Sequence, residues 1–384
     1  MHILIAALHR PAQPTGVCRH AANLARCLSI SPQIQKITLI IGEWQREYFK
    51  ESFSLPSDKI DIIYIDIKNS SASRNIWFLS GLPALVKRLS PNVVHLTFPL
   101  PFIRALFNCP VVTTIHDLYP CKIPDNFGIR KAIFNKLFLK LAIRESDVLA
   151  CVSKTTLNDL EFYFPSVRSG NKKAVVVYNF VEFSQGVGNH SGVWKQQLES
   201  PFLLCVAQHR KNKNLDLLIQ AFAEMQREES GNGHYKLVIV GSDGPETESL
   251  KQLIQSLSLT ESILMLSGVP DNELCWLYQH CKLFIIPSSI EGFCIPLIEA
   301  LYFSCAIVCS DIPIFREIGD SVCTYFKLDG AAITNLKESM SHTLSQNVSY
   351  ESDINKRFSR SSISSQLVQL YSDLVLNEKE KKCP

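Results

Sequence analysis

A chain of 384 residues exceeds the size at which one hydrophobic core keeps growing, so two domains are expected. Its 46% apolar and 20% charged residues, with no biased tract, exclude the fibrous and disordered classes. The net charge of +3 is unevenly divided: residues 1–180 hold 22 basic and 12 acidic side chains, and residues 181–384 hold 17 and 24.

Met1 to Leu8 is mostly apolar but lacks a basic flank and stops at His9-Arg10-Pro11, so it reads as a buried strand rather than a signal peptide. No apolar run reaches the roughly 18 residues needed to cross a bilayer. The thirteen cysteines are scattered and form no Cys-x-x-Cys pair, which suits a reduced, cytoplasmic protein better than a disulfide or zinc framework. Short apolar runs at 2–8, 37–41, 60–65, 93–96, 111–115, 148–152 and 174–177 predict strands. They alternate with longer segments, of which 17–28 has a helical period. This is the rhythm of a parallel sheet. The glycine-rich stretch 183–192 predicts a linker. A second series of strands follows at 202–206, 236–240, 263–266, 283–286 and 306–309, with helices between them at 215–226, 246–257, 272–281 and 296–301. The expected fold is α/β, with two Rossmann-like doubly wound parallel sheets at 1–182 and 193–359. A last helix within 360–384 is expected to pack back on the first domain.

Ligands of such sheets bind beyond the carboxyl ends of the strands. The segment Ser288-Ser289-Ile290-Glu291-Gly292-Phe293-Cys294-Ile295-Pro296-Leu297-Ile298-Glu299-Ala300 follows a strand and opens a helix near Pro296. The amides of Phe293 to Leu297, Ile295 among them, are expected to face one spot with the positive helix end behind them, a place for a phosphate or sugar hydroxyls. Glu299, expected in the first helical turn, and Glu291 could each grip a vicinal diol; an acid at a helix start also serves simply to complement the dipole.

The pattern Glu291-Gly-Phe-x-x-Pro-x-x-Glu299-Ala resembles the signature of family 4 retaining glycosyltransferases of the GT-B fold, in which two such domains face a central cleft. The resemblance covers nearly the whole chain and implies that Glu291 sits by the donor hexose and Glu299 by the ribose, with the amides of Phe293 and Cys294 on the donor. Val206 to Leu215 packs three basic residues into four positions after a strand. Lys213 matches the lysine that the family sets on the diphosphate. Ala207-Gln208 stands where the family has Gly-Arg, and Arg210 is a candidate to supply the absent guanidinium. In the first domain, Gly16 opens a helix after the first strand. His116, in Thr-Thr-Ile-His-Asp at the end of another, resembles the histidine that meets the transferred sugar. Gly241-Ser242-Asp243-Gly244-Pro245 is either the family's glycine-rich turn or a tight turn only. Val269 follows a strand where related enzymes hold the nucleobase.

No Asp-x-Asp occurs, so no metal or other cofactor is expected, and cationic groups and helix ends should stabilise the leaving diphosphate. The expected function is metal-independent, retaining transfer of a hexose, with mannose a candidate, from a UDP- or GDP-sugar to a saccharide or polyprenyl-linked acceptor of surface polysaccharide or lipopolysaccharide. The alternatives are a nucleotide-sugar epimerase of the same fold and an inactive protein that binds nucleotide sugars. No nucleic acid partner is expected. In Gly128–Glu145, helical spacing groups Arg130, Lys136, Lys140 and Arg144 with Ile133 and Leu137, away from Phe134, Phe138, Leu139 and Ile143. That helix is either a core helix with a basic edge or a contact with an anionic membrane surface, such as the inner face of the plasma membrane.

Overall fold

The structure is a computed structural model. It describes all residues except 13–14, 54, 56–57, 123–128, 182–197, 199, 229–234, 347–356 and 381–384, and it omits the side chains of 120 and 129–135. The expected linker at 183–192 lies outside the described residues.

The chain forms two units: Met1–Phe180 with Phe358–Pro384, and Val181–Arg357. The first contains β1 (His2–Ala6), β2 (Lys36–Gly42), β3 (Ile60–Ile65), β4 (Val93–Leu96), β5 (Val111–Ile115), β6 (Val148–Cys151) and β7 (Lys173–Val176). These form one parallel sheet in the order β3-β2-β1-β4-β5-β6-β7. Parallel strands need crossovers that cover both faces with helices, which is why the inner strands are mostly apolar. Alternate residues of β1 serve opposite faces. Ile3 and Ile5 pack with the helix Gly16–Ser29, and Leu4 and Ala6 pack with Phe78, Leu82, Leu85 and Val86 of the helices Ser71–Leu79 and Gly81–Leu89.

The helix Arg360–Glu380 belongs to this first unit. Ile363, Leu367, Leu370, Tyr371 and Leu374 enter the same core as Ile3 and Ile5, and burying an aliphatic side chain of this size contributes about 1.5–3 kcal/mol. The Arg360 guanidinium donates to the carbonyl of Arg26 at 2.6 and 3.0 Å, placing a cation at the negative end of the helix Gly16–Ser29.

The second unit contains β8 (Phe202–Val206), β9 (Lys236–Val240), β10 (Ile263–Leu266), β11 (Leu283–Ile286), β12 (Ile307–Ser310) and β13 (Thr324–Phe326), all parallel, in the order β10-β9-β8-β11-β12-β13. In each sheet the chain runs outward one way and then returns to the middle. The direction therefore reverses between β1 and β4 in the first unit and between β8 and β11 in the second. Loops leaving two such strands part in opposite directions and open a crevice at the carboxyl edge.

Candidate active site

At the reversal point of the second unit, the segments after β8 and β11 are laced together. Asn214, in the left-handed region at φ 47°, donates its amide to the carbonyl of Pro287 at 2.8 Å. The amide of Ser289 donates to the carbonyl of Asn212 at 2.9 Å, and the Asn212 side chain donates to the carbonyl of Ile290 at 3.3 Å. This lacing brings Lys213 and Glu291 into a direct ion pair, with the ammonium hydrogen-bonded to the carboxylate. Both side chains are largely buried, at 20% and 9% exposure, so the pair is shielded from solvent screening. Burial works against the Lys213 charge, but the carboxylate of Glu291 more than offsets it, so the ammonium is held above the ordinary lysine range.

The helix Ile295–Tyr302 begins beside this pair, with Pro296 in its first turn. Its N-cap is Cys294, at φ 69°, a left-handed conformation that a side chain disfavours. Burial, then Glu291, pushes the Cys294 thiol well above its usual range, so it stays protonated. The expected row of amides from Phe293 to Leu297 is shorter in fact. Pro296 has no N–H, and the amide of Leu297 donates to the carbonyl of Cys294 at 3.2 Å. Cys294 and Ile295 remain the amides at the open end of the helix. Phe293 and Leu297 are buried as side chains.

Glu299 lies beyond the first turn, as the fifth helical residue, and is only 3% exposed. Its carboxylate accepts a hydrogen bond at 2.7 Å from the hydroxyl of Tyr278, on the helix Asp271–His280. Burial, then Glu299, holds the Tyr278 hydroxyl well above its ordinary range, so it remains a donor. Sequence reasoning missed Tyr278, because an aromatic residue on an amphipathic helix looks like ordinary core. Its ring does stack on Phe303 at 5.7 Å between centroids. A hydrogen bond to a charged group contributes about 1.5–3 kcal/mol. Tyr278→Phe is expected to lower stability by about that amount; thermal melting checks this, and an unchanged melting temperature contradicts it.

Arg210 is exposed and its side chain forms no ion pair among the described residues, while its carbonyl accepts from the amide of Lys213 at 2.9 Å. The segment after β8 packs instead on the turn after β9. A Cβ at Gly241 would meet the carbonyl oxygen of Ala207 at 1.9 Å, and one at Gly244 would meet that of His209 at 2.2 Å, so both glycines are needed for this contact. Thr247 accepts from the Gly244 amide at 2.9 Å and lies 2.9 Å from Nδ1 of the buried His209. Val269 is half-buried after β10, next to Gly268 at φ 69°. Among the described residues, no three His, Cys, Asp or Glu side chains gather as metal ligands.

In the first unit, Gly16 starts its helix with open space where a Cβ would stand. His116 follows β5 and donates from Nε2 to the carbonyl of Thr97, at 2.8 Å. Its ring meets that of His20 edge to face, with centroids 4.7 Å apart. Three further buried histidines, none singled out by the sequence reading, surround it: His9, His20 and His95. Two of them belong to a chain of hydrogen bonds whose direction is settled at one end. Tyr371 is fully buried and its hydroxyl has His95 Nδ1 as partner, so it donates there. His95 Nε2 then donates to Thr114 at 2.7 Å, and Thr114 donates to His20 Nε2 at 3.3 Å. His20 Nδ1 in turn donates to the Asn179 carbonyl oxygen. Burial lowers His95 to about 3 and His20 well below its usual value, so both are neutral.

Two doubly wound parallel sheets in series have the architecture of the GT-B fold. Residues 14–185 match the family described as Glycosyltransferase Family 4, and residues 189–357 match Glycosyl transferases group 1; the chain belongs to the family 4 glycosyltransferases. It is 28% identical over 336 residues to the O-antigen chain mannosyltransferase RfbU of Salmonella typhimurium, covering 84% of this chain and 88% of that one. It is 33% identical over 187 residues to the N-acetylgalactosamine-N,N'-diacetylbacillosaminyl-diphospho-undecaprenol 4-alpha-N-acetylgalactosaminyltransferase of Campylobacter jejuni, 49% of this chain and 47% of that one. Anabaena HepE, solved in complex with UDP and glucose, shares the fold with a TM-score of 0.69 at 15% identity, covering 97% of this chain and 99% of that one. No helix among the described residues is long and apolar enough to cross a membrane.

Proposed function

We propose that the protein is a retaining, metal-independent hexosyltransferase. It moves a hexose, mannose foremost, from a UDP- or GDP-sugar to a saccharide or polyprenyl-linked acceptor in surface polysaccharide assembly, on the cytoplasmic side. The observation that carries this reading is the shielded Lys213–Glu291 pair beside the N-terminus of Ile295–Tyr302. A cation and a helix end can together stabilise a leaving diphosphate without a metal ion. The names of the Salmonella and Campylobacter relatives support the sugar and the lipid-linked acceptor respectively, and HepE supports a nucleotide diphosphate as donor. In the proposed reaction the acceptor oxygen bonds to the anomeric carbon on the face from which the phosphate oxygen departs. The acceptor proton passes to that phosphate, and Glu291 opposes the positive charge developing at the sugar.

Mass spectrometry of products from UDP- and GDP-hexoses with a polyprenyl-diphosphate-linked oligosaccharide tests this. Glycosylated acceptor with a retained anomeric configuration is expected; inversion, or an altered sugar nucleotide without acceptor, refutes it. Activity is also expected to survive EDTA, and loss restored by Mg²⁺ or Mn²⁺ would contradict the metal-free reading.

Peripheral membrane association belongs to the same proposal. In the helix Ile129–Glu145, Leu139, Ala142 and Ile143 are buried, while Lys136, Lys140 and Arg144 are exposed together with Leu137. Arg130, Ile133 and Phe134, which the same expectation invoked, have side chains outside the described set. Basic residues beside an exposed leucine suit an anionic lipid surface. Replacing Lys136, Lys140 and Arg144 with glutamine is expected to reduce co-sedimentation with anionic liposomes several-fold, and unchanged co-sedimentation counts against the contact.

A further inference from the structure

Arg74, on the helix Ser71–Leu79 that follows β3, is only 7% exposed yet has no acid paired with it among the described residues. Its Nη1 donates to the side-chain oxygen of Asn69. The remaining N–H groups of the guanidinium meet no partner among the described residues and, unlike Nδ1 of His9, are not sealed in, so they face an opening. Arg10, exposed on the loop after β1, adds a second cation. Burial, then the charge of Arg10, pushes the Arg74 guanidinium below the ordinary arginine range, and no carboxylate, Asp66 included, counters them. Glu43, which follows β2, is taken by Arg46 at 2.7 Å. A buried cation without a counter-charge is costly to keep, and an anion at this opening would relieve it.

The loops that carry the two arginines are held together. The Asn69 amide donates to the carbonyl of Arg10 at 3.0 Å, and Nε1 of Trp44, after β2, donates to the carbonyl of His9 at 3.0 Å. All of these loops leave the carboxyl edge of the sheet, the edge at which the crevice between β1 and β4 opens, and β3 stands about 10 Å from β1, two strand spacings away. Arg74 and Trp77 are three residues apart and share a face of their helix. Trp77 borders an apolar groove of about 360 Å³, lined also by Ile63 and Ile65 of the edge strand β3 and by Ala84, Leu85 and Arg88 of the helix Gly81–Leu89. A Cβ at Gly81 would meet the Trp77 ring at 2.5 Å, so the glycine makes room for that ring. The helix Ser71–Leu79 also exposes Ile76 and Leu79.

We propose that Arg10 and Arg74 bind the diphosphate of a prenyl-linked saccharide acceptor, whose hydrocarbon chain lies in the groove between β3 and the helices Ser71–Leu79 and Gly81–Leu89. A guanidinium fork matches two oxygens of one phosphate, and a diphosphate carries charge enough for two arginines. The adjoining groove selects a phosphate with an apolar tail over a free one. The saccharide then runs from this point along the carboxyl edge toward the crevice, which presents its far sugar for transfer and keeps the lipid end away. The saccharide rests on the glycosyltransferase reading; the lipid diphosphate site does not.

Calorimetry on the full chain with farnesyl diphosphate, farnesol and inorganic pyrophosphate, below the micellar concentration of each lipid, tests the site. Farnesyl diphosphate is expected to bind about tenfold or more tightly than either of the others, because only it fills both parts. Arg10→Gln, at an exposed position, and Arg74→Gln should each weaken both anionic probes about tenfold, the effect of one lost charge-assisted hydrogen bond. Arg74→Gln keeps an amide donor for Asn69 and should melt no lower than the wild type, since it removes an uncompensated buried charge. Ala84→Phe fills the groove from an exposed position and should weaken farnesyl diphosphate severalfold while leaving pyrophosphate unchanged. Equal binding of farnesyl diphosphate and pyrophosphate, or an affinity unmoved by Arg10→Gln, overturns the assignment. So does a parallel loss of GDP-mannose or UDP-glucose binding in the arginine variants, which would give these residues to the donor. In transfer assays with a prenyl-diphosphate-linked saccharide, Arg10→Gln should raise KM for the acceptor about tenfold and leave KM for the donor unchanged. Farnesyl diphosphate binding in a protein that transfers no hexose sinks the glycosyltransferase reading and leaves the lipid diphosphate site standing. Hexose transfer with an acceptor KM unmoved by Arg10→Gln overturns the site and leaves that reading intact.

Discussion

Lys213→Ala is expected to lower turnover by roughly 100-fold or more, the size of effect seen when one preorganised electrostatic donor to a leaving group is removed. The ion pair complicates this loss in a way that can be measured. Truncating the lysine leaves Glu291 nearly buried without its counter-charge, and breaking a buried pair from one side typically costs about 3–5 kcal/mol. Turnover must therefore be normalised to the folded fraction. Glu291→Gln separates the two contributions. The double variant Lys213→Ala/Glu291→Gln no longer strands a charge, so it should recover much of the stability lost in Lys213→Ala. It should recover none of the turnover, because the cation proposed to face the diphosphate is still missing. Glu291→Gln alone should reduce kcat by more than it changes KM, since opposition to developing charge acts in the transition state. Thermal melting and kinetics on the four proteins decide. If turnover returns with stability in the double variant, Lys213 serves only to neutralise Glu291.

The strands were legible because a parallel strand covered on both faces is mostly apolar, and all twelve runs predicted as strands match within two residues at each end. The strand not predicted is β13, whose three residues are too few to show a pattern. The helices Ser71–Leu79 and Gly81–Leu89 were not resolved as elements, since serine and glycine between them and Pro83 within the second interrupt the helical signal. At the site, Lys213 and Glu291 were each identifiable from local context. Their pairing was not, because it depends on β11 returning to lie beside β8, and the two residues are 78 positions apart. Glu299 stands one residue deeper in its helix than expected, because the helix begins at Ile295, and its burial against Tyr278 followed from a helix contact that periodicity does not report. The histidines left a weak signal that went unused: His95 is a polar residue within the otherwise apolar run Val93–Leu96, and such a residue, once buried, needs a partner.

That cluster gives the protein an expected weakness to acid. His9 and His95 are lowered by burial to about 3, and His20 lies well below its usual value for the same reason. In the unfolded chain each would titrate near 6.5. Below that pH the unfolded state binds protons that the folded state refuses, so the contribution of these groups is fully present above about 6.5 and declines as pH falls toward their folded values. His9 and His95, at about 3, and His116, at about 4, each cost about 1.4 kcal/mol per pH unit below 6.5, together about 4 kcal/mol per unit and about 6 kcal/mol by pH 5, with His20 acting in the same direction. This approaches the whole stability of an ordinary domain. The groups lie in the first unit, so it should open first. Urea unfolding between pH 7.5 and 5 should show the steep decline, and hydrogen exchange read peptide by peptide should show Met1–Phe180 and the helix Arg360–Glu380 losing protection before Val181–Arg357. His95→Gln keeps a donor toward Thr114 but cannot titrate; it should be less stable at pH 7.5, because Tyr371 loses its acceptor, and its pH slope should be shallower by about 1.4 kcal/mol per unit. A stability that stays level from pH 7 to 5, or an unchanged slope in His95→Gln, would show that these imidazoles take up protons without opening the fold.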